Sequence, residues 1–205
     1  TQINNKPLIL GRKISRRNFL RGSAALGIAG STAGLLTMTG NAFAAGGKRG
    51  GRLRAGIAHG STTDSLDPAT YENNFTIQLN YGIQNHLGEV DAATGAMVPE
   101  LAESWEATNG AQTWIFNLRQ GVEFHNGKTM DADDVIASFQ HHMGESASPA
   151  RSLLDQVSSM RKDGNNRVIF ELSGGNADFN FVASDYHIAI KPSKDGKIDP
   201  TDGIG

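Results

Sequence analysis

Residues 113–119 read T-W-I-F-N-L-R, residues 120–128 read Q-G-V-E-F-H-N-G-K, and residues 131–135 read D-A-D-D-V. In the first, Trp114, Phe116 and Leu118 alternate with polar or smaller neighbours, which predicts a strand with one buried face. Asn126-Gly127 marks a tight turn. Asp131, Asp133 and Asp134 then open a helix, where carboxylates suit the positive end of the helix dipole. Val135, Phe139 and Met143 form its apolar stripe.

Working outward, Asn109-Gly110 is a hairpin turn in front of the strand, and residues 91–95 are a second hairpin loop. Lys162 to Asn166 separates two further strands, the second being residues 168–172, and His187 to Lys191 is a last strand candidate before Pro192. Upstream, residues 52–57 alternate as a strand would, followed by a polar loop from His59 to Asp67. Asp67-Pro68 is a helix start. Tyr71, Phe75, Leu79, Ile83 and Leu87 recur at intervals of four and predict one helical face. No internal repeat or heptad is present, and helices mixed with hairpins favour an α+β fold over a doubly wound parallel sheet. Trp105, Trp114, Phe116 and Phe124 are expected in the core, each contributing about 1.5–3 kcal/mol when buried.

Charge divides the 205 residues unequally. Thr1 to Ala44 holds six of the 19 Lys/Arg and none of the 21 acids, so the rest carries 13 − 21 = −8. An acid-free basic leader ahead of an acidic body is the pattern of a targeting segment. No basic stripe is available to neutralise phosphates, which argues against nucleic acid. Cysteine is absent, so cysteine nucleophiles and thiolate metal sites are excluded.

The leader holds S-R-R-N-F-L at residues 15–20, an uncharged stretch from Gly22 to Ala45, and Ala42-Phe43-Ala44 as a small-x-small cleavage site before Ala45. It resembles a twin-arginine export signal, with Arg16, Arg17, Phe19 and Leu20 as the recognition residues. The resemblance implies passage of the folded protein through the twin-arginine translocase into the periplasm. Such signals are addresses rather than anchors.

Four segments of the body, in order, resemble the extracellular solute-binding proteins of family 5, which include the dipeptide and oligopeptide binders. They are Asp64 to Pro68, Val98 to Glu106, Trp114 to Lys128, and Ala132 to Val135. Residues 85–89, N-H-L-G-E, depart from the Y-E-x-L pattern more usual there. The resemblance implies a periplasmic-binding-protein fold of type II with two lobes. This chain would supply lobe one and its inserted subdomain as the N-terminal part of a longer protein. The expected organisation is a signal peptide over 1–44, a flexible lead-in over 45–51 and the truncated family domain over 52–205.

The implied role is capture of a peptide or peptide-like solute for the permease subunits of an ABC importer. Opines, nickel chelates, haem and oligosaccharides are the alternative solutes. Ligand contacts are expected at the loop after the first strand: His59, Gly60, Ser61, Thr62 and Thr63. An exported cofactor enzyme is a rival, as is an adhesin or receptor using the same fold. No G-x-S-x-G or P-loop pattern occurs, however, and no catalytic residue or cofactor is expected. Among the six histidines, no H-E-x-x-H spacing appears. His141 and His142 stand about 100° apart on a helix, which is awkward for one ion. The Asp131, Asp133 and Asp134 group lacks the spaced acids and terminal Glu of a Ca²⁺ loop. No metal site is expected.

Overall fold

The computed structural model describes residues 51–52, 54–144 and 148–205. The leader residues Arg16, Arg17, Phe19, Leu20, Ala42, Ala44 and Ala45, and most of the lead-in, lie outside them. Contacts divide the chain at Arg54/Ala55, and the elements of the fold all belong to the second unit, Ala55–Gly205.

The centre is a four-stranded antiparallel sheet built from β3 (Ala102–Thr108), β4 (Thr113–Leu118), β5 (Val157–Lys162) and β6 (Arg167–Leu172), in the order β3-β4-β6-β5. Trp114, Phe116 and Leu118 are buried as the alternation demands. The register sets Trp114 opposite Phe170 and Phe116 opposite Val168. The β3–β4 loop runs over residues 109–112, between the paired Thr108 and Thr113, and Asn109, Gly110 and Ala111 in it all take positive φ (52°, 64° and 61°). Two short hairpins flank this sheet: β1 (Gly88–Val90) with β2 (Met97–Pro99), and β7 (Ser193–Lys194) with β8 (Lys197–Ile198). In the first, Asp91 Oδ1 accepts the Thr94 amide at 2.8 Å and holds the loop.

The helices are α1 (Asn74–Ile83), α2 (Ala132–Met143), α3 (Arg151–Leu154) and α4 (Phe179–Val182). α2 lies against the sheet through Val135 and Phe139, both fully buried. The Phe139 ring sits 4.8 Å from that of Phe170. Phe170 also meets Phe116 edge-on at 5.5 Å and Phe179 at 5.4 Å, so one ring on β6 joins helix, strand and α4. Such pairs add to simple burial. Phe124 is buried too, whereas Trp105, on the edge strand β3, is only partly covered, 6.2 Å from Phe116.

Three sequence-based expectations need correction. Residues 54–57 form no strand: they are mostly exposed, and no described strand pairs with them, so the alternation has no ladder to join. Residues 187–191 are buried and irregular rather than a strand. Their amides go to separate acceptors, Ile190 to the Asn85 carbonyl and Lys191 to Ser138 Oγ, instead of one neighbouring strand. The face from Tyr71 to Leu87 is not one helix. A 3-10 turn at Pro68–Thr70, capped by Asp67, ends at Tyr71, and Asn73 caps a new helix by accepting the Phe75 and Thr76 amides. α1 buries Thr76 and Asn80, while Phe75, Leu79 and Ile83 remain half-covered.

Candidate functional site

His59, Gly60, Ser61, Thr62 and Thr63 form one exposed loop ahead of α1. Asp64 closes it. Its Oδ2 accepts the Ser61 amide at 2.6 Å, and its Oδ1 accepts Nδ2 of Asn73, the α1 cap, at 2.8 Å. Ser61 Oγ lies 2.9 Å from Thr63 Oγ1 and accepts the Thr63 amide at 3.3 Å. Gly60 comes so close to Phe75 that a Cβ there would touch the ring at 3.6 Å. His59 takes a left-handed backbone, φ 71°. The loop is therefore locally ordered by its own polar groups, with a non-glycine residue held in a conformation usually left to glycine.

Two adjoining cavities, of about 540 and 580 Å³, run along α2 under the β7–β8 hairpin and share Ala137, Gln140 and Gly196. Asp67, His141 and Lys197 line the first; Lys128, Asp131, Asp133 and Asp195 line the second. None of the five loop residues is among the lining residues described. Asp67 joins the 3-10 turn to α2. Its Oδ1 accepts the Ala69 amide at 2.9 Å and lies 2.8 Å from His141 Nε2.

Asp131 and Asp134 cap α2 reciprocally. Asp131 Oδ1 accepts the Asp133 and Asp134 amides, and Asp134 Oδ2 accepts the Asp131 amide at 3.0 Å. Capping is half the role of Asp134. Its carboxylate is fully buried, and Oδ1 also accepts Lys128 Nζ, the Ser193 amide and the Ser193 hydroxyl. It thus ties the Asn126-Gly127 turn, the helix and the β7–β8 hairpin together. Lys191, with no exposed surface, is paired to Asp202 at 2.8 Å.

Four of the six histidines, scattered in sequence, lie close together. His141 is on Asp67; His142, completely buried, has Nδ1 2.7 Å from Ser148 Oγ. His187 Nδ1 is 2.6 Å from Asp185 Oδ1, and His86, 2% exposed, has Nδ1 3.8 Å from Glu100. Asn80 donates to the Tyr186 carbonyl at 2.6 Å and lies 3.3 Å from His86 Nε2. Burial, reinforced by His141 and His187, pushes His142 down to about 4. Burial also lowers His86, against the opposing pull of Glu100. Asp185 is held below the usual carboxylate range: burial opposes this, but bonds from His187 outweigh it. Spacing along the chain could not reveal this seam, since its histidines come from three separate segments. Among the described residues no group of three His, Cys, Asp or Glu is arranged to hold a metal ion.

Comparison with known proteins agrees with this architecture. The model for bacterial extracellular solute-binding proteins, family 5 middle, matches residues 96–204. The chain belongs to that family. A twin-arginine translocation signal model matches residues 13–33, and the protein is exported to the periplasm. Relatives include a probable di/tripeptide-binding protein 5 of Pseudomonas aeruginosa, 33% identical over 138 residues, covering 58% of this chain and 26% of the relative. The peptide transport periplasmic protein SapA of Salmonella typhimurium is 32% identical over 126 residues, covering 53% and 23%. Among solved structures, a nickel ABC transporter protein from Bacillus halodurans has a TM-score of 0.57 at 30% identity, covering 69% of this chain and 28% of that one. The AgaA binding protein of A. tumefaciens R10, in complex with agropinic acid, has a TM-score of 0.59 at 26% identity, covering 62% and 26%. The chain thus spans about a quarter of the length of the curated relatives it matches.

Proposed function

We propose that this chain is the N-terminal part of the solute-capturing component of an ABC importer, and that the solute is a peptide or peptide-like molecule. The observation that carries this reading is the family match over residues 96–204, together with relatives described as di/tripeptide- and peptide-binding. Capture is by closure of two lobes about a hinge. The permease subunits are the partners, and the protein binds its solute without transforming it, in keeping with the lack of nucleophile and phosphate-binding motifs.

The loop His59 to Thr63 is the proposed ligand-facing edge, which would hydrogen-bond an extended peptide backbone as an added strand does. With the Ser61 and Thr63 amides engaged inside the loop, that role falls to the backbones of His59, Gly60 and Thr62. Processing before Ala45 and the lead-in over 45–51 belong to the same proposal.

Melting of the full-length protein with a panel of di- and tripeptides tests this. A saturable rise of several degrees with peptides, and recovery of the peptide unchanged, is expected. A rise with an opine alone would move the solute to the class that the AgaA likeness suggests. Consumption of the solute would overturn the binding role.

A further inference from the structure

Lysine and arginine are spread unevenly over the body. Ala55 to Leu118 hold eight carboxylates and no Lys or Arg, and Val168 to Ile190 hold three carboxylates and again no Lys or Arg. α1, β1, β2 and α4 all fall in these two stretches. Arg119, just after β4, donates its Nε to the Glu100 carbonyl. The other bases that follow Ala55 gather on α3, on β5 and β6, and around α2 and the β7–β8 hairpin.

Three of the elements without bases meet. Tyr81, near the end of α1, is 54% exposed, with its ring 5.4 Å from that of His86. Asn80 beside it donates to the Tyr186 carbonyl at 2.6 Å, which ties α1 to the loop after α4. β1 packs against α4, so closely at its start that a Cβ on Gly88 would fall 3.2 Å from Ser184 Oγ. Val90 on β1 is 47% exposed and Phe181 on α4 is 41% exposed. Three large apolar side chains thus stand uncovered on three adjoining elements. Carboxylates surround them. Burial, and then Asp185, Glu89 and Glu100, hold the Tyr81 hydroxyl above its ordinary value. Burial, and then Asp185 and Glu72, do the same for Tyr186.

We propose that this face of α1, β1 and α4 is a docking surface for a basic polypeptide segment of a partner protein. Apolar side chains of that segment cover Tyr81, Val90 and Phe181, and its Lys or Arg side chains enter among the carboxylates. Uncovered apolar groups rimmed by polar ones mark interaction surfaces. Charge of one sign, with no base on the same elements to neutralise it, selects a cationic partner and steers its approach. The Tyr81 and Phe181 rings suit a guanidinium or ammonium group. The same field repels an anionic lipid surface. A second copy related by a two-fold axis would set these carboxylates against their own equivalents, which disfavours self-association here. The loop from His59 to Thr63 contributes nothing to this face, so the inference stands whether or not that loop touches a solute.

Fluorescence anisotropy of the full-length protein with a short labelled Arg/Leu peptide, blocked at both ends, tests it, with the Glu/Leu counterpart as control. The basic probe should bind saturably and the acidic one should not. Its affinity should fall about 5-fold or more as salt rises from about 50 to about 300 mM. Tyr81→Ala and Phe181→Ala should each weaken it about 5-fold or more, and Glu89→Lys about 10-fold. Leu153→Ala, exposed on α3, should leave it unchanged. These side chains are exposed, so the variants should melt with the parent protein. Absent binding, equal binding of both probes, or affinity unmoved in Tyr81→Ala, Phe181→Ala and Glu89→Lys would overturn the proposal. Thiol labelling of Val90→Cys, read by mass spectrometry on the peptide carrying residue 90, tests whether the face is free. Fast labelling that the basic probe slows supports it. Slow labelling without the probe means that the protein's own remaining polypeptide, or a second copy seen by light scattering, already covers the face, and overturns it.

Discussion

Asp134 Oδ1 accepts the backbone amide of Ser193 at 2.6 Å and its hydroxyl at 2.8 Å, across 59 residues of chain. The other oxygen of the same carboxylate closes the first turn of α2. One buried group therefore sets the helix start and the position of the β7–β8 hairpin together.

Asp134→Ala strands Lys128, two amides and a hydroxyl, and should cost about 3–5 kcal/mol, the range for breaking a buried charged network. Asp134→Asn keeps one oxygen and should lose roughly half as much. Urea midpoints of the two variants check this. Equal and small losses would show that the carboxylate acts only as a cap.

Gly175 and Gly174 make a paired test of close packing. A Cβ on Gly175 would fall inside the van der Waals radius of the Gly110 carbonyl oxygen, a backbone atom with little room to yield, whereas one on Gly174 meets nothing within 4 Å. Gly175→Ala should destabilise by about 1–3 kcal/mol. Gly174→Ala should stay within about 0.5 kcal/mol. Thermal melts of both variants read the difference.

Tyr71 is 1% exposed and donates its hydroxyl to the Leu66 carbonyl at 2.8 Å. Burial, and then the Asp67 carboxylate, push its ionisation up to about 12. An unfolded tyrosine loses its proton near 10. Stability from this group is therefore full below pH 10 and falls as the pH rises toward 12, by about 2–3 kcal/mol. Tyr71→Phe should lose about 1 kcal/mol at neutral pH and flatten that alkaline decline. Chemical denaturation at pH 8 and pH 11.5 is the measurement.

Replacing Arg16 and Arg17 together by Lys keeps the leader's charge but removes the paired guanidinium groups. The precursor should then stay in the cytoplasm, folded, with export falling at least 10-fold in a fractionation assay. Undiminished export would mean that another route reads this leader.

The centre of the fold was legible because local signals agreed there. Trp114, Phe116 and Leu118 alternate, Asn109-Gly110 turns the chain, and Asp131 caps a helix whose Val135 and Phe139 face inward. Residues 187–191 misled because burial alone selects apolar residues, and irregular buried backbone looks like a strand when its amides find scattered acceptors. The α1 region misled for the opposite reason. Asn73 competes for the Phe75 and Thr76 amides and restarts the helix, so its polar Thr76 and Asn80 go inside. The proposal of a ligand contact at His59 to Thr63 came from family resemblance. The seam of His86, His141, His142 and His187 left no periodic trace, since tertiary folding alone assembles it.

The order β3-β4-β6-β5 sets a timetable for synthesis. β4 emerges with β3, its neighbour along the chain, but its other side waits for β6, and Thr113 meets Glu171 only 58 residues later. Until the ribosome has delivered the polypeptide through Leu172, the Trp114, Phe116 and Leu118 face lacks the Phe170 ring that will cover it. A nascent precursor addressed to a translocase for finished proteins thus spends that interval with greasy surface showing, which is when a chaperone would hold it.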